Sequence, residues 1–333
     1  MAIVTSVPVG LAALPTATYD PKPPTTVSVS GKLVLLPPQV TLSSAFKQLG
    51  GGPQPGRIMS VLGNPLGPAD TSPIVRLNGN PTLPSIQLRN GDRLEFQNGA
   101  DKPEPAVQET YAQAEGNPQF LIGSGSVTVL RGTLSGQIQT LASTPGTGAP
   151  QVALTFDDGP SPLYTPAILD ILRNAGVKAT FFPLGRTASR NPDLVRRLVA
   201  EGMHIGNHSW DHPVLTNKPA KFVIDQLKRS EDTLSALGAS VSVFRPPFGS
   251  FQPSTLKTAE SLHLKTVIWS VDSLDWKKTG TEQIVDRVLS LVRPGSIILL
   301  HDGGGNRSQT VAALPQIIST LKARGYQFAL LGG

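Results

Sequence analysis

The second half of this chain predicts an α/β fold in which parallel strands curl into a distorted or incomplete (β/α) barrel, preceded by a smaller β-rich domain. Three observations carry that expectation. From residue 151 onward, apolar β-prone runs alternate with amphipathic runs, the grammar of strands joined by crossover helices. Polar clusters fall just past the ends of several apolar runs, where α/β folds build their sites. All five histidines (204, 208, 212, 263 and 301) lie here, so chemistry that needs imidazole belongs to this half.

The strand runs are 151–156, 179–184, 203–206, 241–244, 264–269, 296–301 and 326–330. Between them lie the amphipathic runs Pro166–Ala175, Pro192–Glu201, Pro219–Leu237, Pro253–Ser261, Thr281–Val292 and Thr310–Arg324. Several open with Pro in the first turn, and three close on Gly176, Gly202 or Gly238, as helix ends do. Seven strands suit a small or incomplete barrel better than a full eight-fold one.

Ahead of this half, residues 1–30 are rich in Pro, Thr and Val and read as an extended arm. Residues 31–143 read as a β-rich accessory domain. Its strands are Lys32–Leu36, Ile74–Leu77, Arg93–Phe96 and Val127–Leu130, and its one helix is Val40–Leu49, with Thr41 or Ser43 near the start. The runs 75–79 and 88–96 resemble a β-grasp (ubiquitin-like) module. Residues 144–150 read as a linker, so residues 150–333 are expected to keep their activity on small soluble substrates when separated from the rest.

Composition excludes several functions. With no Cys there are no disulfides, thiolate metal sites or cysteine nucleophiles. Residues 151–333 carry 20 Lys/Arg against 15 Asp/Glu, and residues 1–150 carry 9 against 8, so the net charge of +6 sits mostly in the second half and suggests an anionic neighbourhood. No Lys/Arg-rich block points to nucleic acid. No apolar run approaches the roughly 18 residues of a membrane span. Met1 to Ala17 is apolar but lacks Lys and Arg, so it has no basic n-region. The expectation is an extracellular or cell-envelope protein whose export signal has been trimmed.

The chemistry centres on Leu154-Thr155-Phe156-Asp157-Asp158-Gly159-Pro160. An apolar strand runs into two adjacent carboxylates and ends on Gly-Pro. Neighbouring like charges at a strand tip need a positive partner, and a bound cation is the obvious one. Taken alone, the pair would equally be a turn after a buried strand. His208 and His212 stand at i and i+4, which on a helical turn sets both imidazoles on one side. With Asp158 they make a two-His, one-carboxylate set that leaves coordination positions for water and substrate. Nitrogen and oxygen ligands without sulfur suit one divalent cation, zinc first, then cobalt, nickel or manganese. Asp157 then serves as proton acceptor and His301, at another strand end, as donor to the leaving group. His204 and His263 read as structural.

Five segments, in order, resemble the five motifs of the polysaccharide deacetylases (carbohydrate esterase family 4, the NodB homology domain). They are Thr155–Pro160, His208–His212, Arg245-Pro246-Pro247-Phe248-Gly249, Asp272-Ser273-Leu274-Asp275-Trp276 and Leu299-Leu300-His301-Asp302. The resemblance covers about 150–333 and implies metal-dependent removal of acetyl groups from amino sugars in polymers. It implies Asp157 as catalytic base, His301 as general acid, and Asp158, His208 and His212 as metal ligands. Arg245 would orient Asp157, and Asp275 would orient His301. Trp276 and Leu299 would line the acetyl pocket. Phe248 stands where the family often has Tyr, and its backbone N–H would serve the oxyanion. The substrate expected first is peptidoglycan N-acetylglucosamine, then chitin or its oligomers, then acetylated xylan. The rival from another class is a glycan-binding module of the same fold that has lost catalysis.

Overall fold

The computed structural model describes residues 23–112, 118–121, 125–145 and 150–331. Most of the expected arm, 1–22, and the linker core, 146–149, therefore lie outside the described residues. By internal contacts the chain forms two units, one of residues 1–57 and 68–102, the other of 58–67 and 103–333.

In the first unit, Thr25–Val29 and Lys32–Leu36 pair as an antiparallel hairpin. Arg93–Gln97 runs parallel to the first of these strands and antiparallel to Ile74–Leu77. Helix Leu42–Gln48 starts at Thr41, whose hydroxyl accepts the Ser44 N–H, the capping a short polar side chain supplies. Val27, Leu36, Leu42, Ala45, Leu88 and Leu94 fill the small core beneath it. The strand Thr25–Val29 falls inside the segment read as an arm.

The second unit is organised by strand Gln151–Asp157. It lies parallel between Thr180–Phe182 and Ile297–His301, with His204–Ile205 and Val271–Asp272 on the outer flanks. Val243–Phe244 pairs in parallel with Lys265–Thr266. Asn207 bridges Phe244, and one run of chain carries Lys265–Thr266 on to Val271–Asp272. Among the described residues the strand pairings leave a gap between Lys265–Thr266 and Val271–Asp272, which only the chain spans. Residues 152–156 are fully buried, as in a parallel sheet covered on both faces.

Side chains alternate across a strand, and that alternation decides what each residue does. Val152, Leu154 and Phe156 point to the helices, as do Ile298 and Leu300 of the neighbouring strand. Phe156 stacks on Phe181 at 5.0 Å between ring centroids. Ala153, Ile297 and Leu299 belong to the second, inner cluster. Asp157 and His301, at paired positions, are thereby delivered to one end of the inner face. Helix Thr165–Ala175 buries Ile168, Leu169 and Leu172 against the outer cluster and ends on Gly176 at φ 62°, a left-handed turn glycine allows. Leu172→Ala here would cost about 2–5 kcal/mol.

Some elements differ from the sequence-based expectation. The run 264–269 is a strand only at Lys265–Thr266, because Gln119 inserts alongside: its N–H donates to Thr266 C=O at 2.9 Å and its C=O accepts Ile268 N–H at 2.8 Å. The run 326–330 reduces to Gln327–Phe328, paired with the start of the Asp157 strand. The short helix Gly185–Arg190 was not foreseen.

The domain boundary expected at 144–150 does not match the contacts. Ala106–Ala112, Gly125–Gly132 and Ile138–Pro145 form an antiparallel sheet, so strand pairing reaches into the expected linker. Val127, Val129 and Ile138 sit in the same buried cluster as Phe182, Trp269 and Leu299. An apolar sheet face must be covered, and here the strand circuit covers it. Segment 58–67 also belongs to this unit.

Candidate active site

Several strands of the circuit end in loops whose backbone is locally unusual. Asp158, Ser209, His212, Phe248 and Leu274 all have φ between 57° and 72°. Non-glycine residues there cost about 1–3 kcal/mol each, and such positions cluster at functional sites. The strand-end carboxylate pair is split as expected: Asp157 stays in the strand and faces inward, and Asp158 begins the turn.

Asp157 Oδ1 accepts Arg245 Nη1 at 2.8 Å, and the same Nη1 donates to Thr155 Oγ1 at 2.7 Å. Arg245 is fully buried, with its guanidinium carbon 4.2 Å from the Phe182 ring centroid and 5.7 Å from that of Trp269. Burial pushes the Asp157 carboxyl up from its ordinary value, opposed by the charges of Arg245 and His301. A base raised in this way holds a proton more strongly once it takes one.

His208 and His212 are not on a helical turn. They lie in a loop, with Ser209 and His212 in the left-handed region. Tertiary bonds, not helix geometry, bring them together. Asn207 Oδ1 accepts the Ser209 N–H, and Ser209 Oγ accepts the His212 N–H. His208 Nδ1 donates to Arg245 C=O at 2.7 Å, which fixes the tautomer and turns the Nε2 lone pair toward Asp158. Asp158 Oδ1 lies 3.5 Å from His208 Nε2 and 3.3 Å from His212 Nε2. Burial, then the neighbouring His212, lowers the His208 pKa to about 3, so its ring is neutral.

The donor atoms of Asp158, His208 and His212 all lie within 4.8 Å of one another. Asp158 Oδ1 is buried with no hydrogen-bond partner among the described residues. A neutral imidazole with a free lone pair beside an orphaned carboxylate oxygen is a donor set that fits a divalent cation.

His301 Nδ1 donates to Asp275 Oδ1 at 2.7 Å, and the His301 backbone N–H donates to Asp275 Oδ2 at 2.9 Å. Thr310 Oγ1 donates to the same Oδ2 at 2.8 Å. Burial pulls His301 down, but Asp275 outweighs it and the ring is raised to about 9. Arg307, buried and not foreseen, donates to the carbonyls of Gly303 and Gly304. A Cβ on Gly304 would come 2.3 Å from Asp158 Oδ2, so the loop packs there only as glycine.

Asp157, Asp158, His208, His212, Phe248, Trp276, Leu299 and His301 line one cleft of about 400 Å³. Arg245 and Asp275 stand behind it, bonded to Asp157 and His301. The ten sequence-predicted site residues therefore converge. His204 is a partly buried strand residue and His263 an exposed turn residue, and neither lines the cleft.

Leu62, Asn64, Pro65, Leu66 and Gln137 also line the cleft, from the first half of the chain. Ser60 N–H donates to Asn64 C=O, and the buried Glu104 accepts the N–H groups of Val61, Leu134 and Ser135, tying segment 58–67 to the turn at 133–137. Ser250 Oγ fixes that turn through Ser135 C=O at 2.8 Å. The only signal in the sequence is the turn-forming Gly63-Asn64-Pro65, which says nothing about destination.

Residues 144–267 match the polysaccharide deacetylase family. A chitooligosaccharide deacetylase of Sinorhizobium fredii is 43% identical over 204 residues, covering 57% of this chain and 95% of that protein. A peptidoglycan-N-acetylglucosamine deacetylase of Bacillus cereus is 42% identical over 179 residues, 53% of this chain and 84% of its own. Among solved structures, a peptidoglycan N-acetylglucosamine deacetylase superposes with TM-score 0.54 at 41% identity, over 55% of this chain and 86% of that one.

Proposed function

Because the chain belongs to the polysaccharide deacetylase family, carbohydrate esterase family 4, we propose that it hydrolyses the N-acetyl amide of amino sugars in a cell-wall glycan, peptidoglycan N-acetylglucosamine first. The observation that carries this reading is one cleft lined by a cation-fitting Asp-His-His set, with a buried carboxylate base and a carboxylate-bound imidazole on its wall. We read the strand circuit as the distorted, incomplete (β/α) barrel of that family, and the first unit as β-grasp-like.

Asp158, His208 and His212 would hold one divalent cation, zinc in the first instance, which when bound polarises the amide carbonyl and acidifies water. Asp157 accepts a proton from the attacking water, held in place by Arg245. The backbone N–H of Phe248 donates to the carbonyl oxygen as it gains charge. His301, kept as imidazolium by Asp275, gives its proton to the departing amine, leaving acetate and a free amino sugar. Trp276 and Leu299 are the apolar wall for the acetyl methyl. Such glycans lie outside the cytoplasm, and that is where we expect the enzyme to act.

The test is acetate release from N-acetylated peptidoglycan fragments and chitooligosaccharides, before and after chelation and after zinc is restored. Release that disappears with chelator and returns with metal supports the reading. Unchanged release in metal-free enzyme, or no release from any acetylated glycan by the metal-loaded enzyme, overturns it in favour of a glycan-binding module.

A further inference from the structure

Arg307 is a buried cation on the wall of the cleft, and the mechanism above gives it no task. Burying a charge is costly unless partners compensate it. Among the described residues no carboxylate is paired with this one. Its partners are instead two successive carbonyls: Nε donates to Gly303 C=O at 2.6 Å and Nη2 to Gly304 C=O at 3.1 Å. One edge of the planar guanidinium thus grips the run Gly303-Gly304-Gly305 at two points. A lysine, with a single point charge, does not reproduce that hold.

The glycine loop is the back wall of Asp158. A Cβ on Gly303 would come 2.1 Å from the Asp158 carbonyl oxygen. A Cβ on Gly304 would come 2.3 Å from Asp158 Oδ2 and 3.2 Å from Arg307 Nη2, so Gly304 stands between the guanidinium and the carboxylate. The other oxygen, Oδ1, faces His212 Nε2 at 3.3 Å and His208 Nε2 at 3.5 Å. The carboxylate is therefore bracketed, imidazoles against one oxygen and the loop against the other. Both ends of the loop are tied down. At one end the N–H groups of Asp302 and Gly303 donate to Asp157 C=O at 3.1 and 3.3 Å. At the other, Arg307 directly precedes helix Ser308–Ala323, and Asn306 Oδ1 accepts the Ser308 N–H and the Tyr164 hydroxyl. The first turn of that helix also carries Thr310, the partner of Asp275. One helix start thus supports the metal ligand and the general acid together.

We propose that Arg307 is a positioning residue for the metal ligand Asp158. By holding the Gly303 and Gly304 carbonyls it keeps the glycine loop against Oδ2, and the filled space there leaves Oδ1 aimed at the two imidazoles. A carboxylate already held in its binding orientation loses less freedom when a cation arrives. Arg307 therefore raises the affinity of the cation site through the loop. The inference rests on the deacetylase reading for the cation site alone, and zinc binding tests it separately from turnover.

The experiment measures the zinc affinity of the metal-stripped full chain by competition with a chromogenic chelator, beside acetate release from N-acetylchitotetraose over a zinc titration. Arg307→Met should lower zinc affinity by about 10- to 100-fold, as for groups that orient a metal ligand. Arg307→Lys keeps the charge and loses the two-point hold, so its affinity should fall between those of the parent and Arg307→Met. In both variants kcat should return toward the parent's as zinc saturates, whereas a purely structural defect would persist at any zinc concentration. Gly304→Ala probes the same contact with Arg307 intact. Its Cβ would displace Asp158 Oδ2, so zinc binding should weaken at least as much. Parent-like zinc affinity in Arg307→Met overturns the inference, and if that variant does not fold, parent-like affinity in Gly304→Ala does so. A kcat deficit that zinc saturation leaves in place also overturns it. If the variants lose zinc affinity as expected while the zinc-loaded parent hydrolyses no acetylated glycan, the positioning role stands and the deacetylase reading falls.

Discussion

Two carboxylate–cation pairs flank the cleft, and they are built the opposite way round. In Asp157–Arg245 the carboxylate faces the cleft and the cation stands behind it. In His301–Asp275 the cation faces the cleft and the carboxylate stands behind. Both supporting groups are almost completely buried. What separates them is whether the partner left behind can shed its charge. A guanidinium cannot do so in the working pH range, whereas an imidazole can. The base pair is therefore also a structural commitment, and the acid pair is a tuning device.

The largest effect expected is from Asp157→Asn. It removes the base and leaves Arg245 charged and uncompensated at zero exposure. Activity should fall by about 10² to 10⁴. The folded state should lose about 3–5 kcal/mol, read from denaturant unfolding, as for one partner removed from a buried ion pair. Metal content, measured by elemental analysis, should be retained. A variant as stable as the parent would mean that Arg245 is solvated or paired elsewhere.

Asp275→Asn should cost less, about 10- to 100-fold in activity, as for groups that orient a working residue. Its signature is in the pH profile. His301 must carry its proton to act, so kcat/KM in the parent should fall as pH rises through about 9. Without the Asp275 charge that pKa drops, and the fall moves to lower pH. The acidic limb, where Asp157 must lose its proton, should stay above the ordinary carboxylate range, because burial raises that group. If Asp275→Asn moves the acidic limb and not the basic one, the acid and base roles are reversed.

Thr310→Val is the finest probe of the same pair. It removes one hydrogen bond to Asp275 Oδ2, worth about 0.5–1.5 kcal/mol, so a loss of roughly two- to tenfold is expected. The carboxylate becomes the stronger partner for His301, and the basic limb should hold or rise. A downward shift would make Thr310 a support of the imidazolium itself.

The smallest change to the chain's chemistry tests the boundary instead of the pairs. A chain beginning at 150 keeps all ten predicted site residues but loses Val127, Val129 and Ile138 from the inner core. We expect it to be insoluble or to unfold cooperatively at lower denaturant than the full chain, contrary to the separability that the Gly/Thr/Pro stretch suggested. A folded, active fragment 150–333 would restore the linker reading.

The sequence by itself pointed to ten candidate residues that the fold gathers at one cleft. Motif residues sit at strand ends, and alternation along Gln151–Asp157 and Ile297–His301 leaves no other face for Asp157 and His301 once Phe156 and Leu300 go to the core. It also located the helices other than Gly185–Arg190 to within a residue or two, because Pro, Gly and the apolar spacing are local signals. Tertiary structure alone decided how His208 and His212 meet. Their four-residue spacing looked helical, but the bonds of Asn207, Ser209 and Arg245 hold them in a loop. It alone brought Asn64 and Gln137 to the cleft, through Glu104, whose partners lie some 30 to 43 residues away. Composition and periodicity report what a segment does with its own neighbours. Which distant surface covers an apolar face, or which loop answers a buried carboxylate, is settled only when the whole chain has packed.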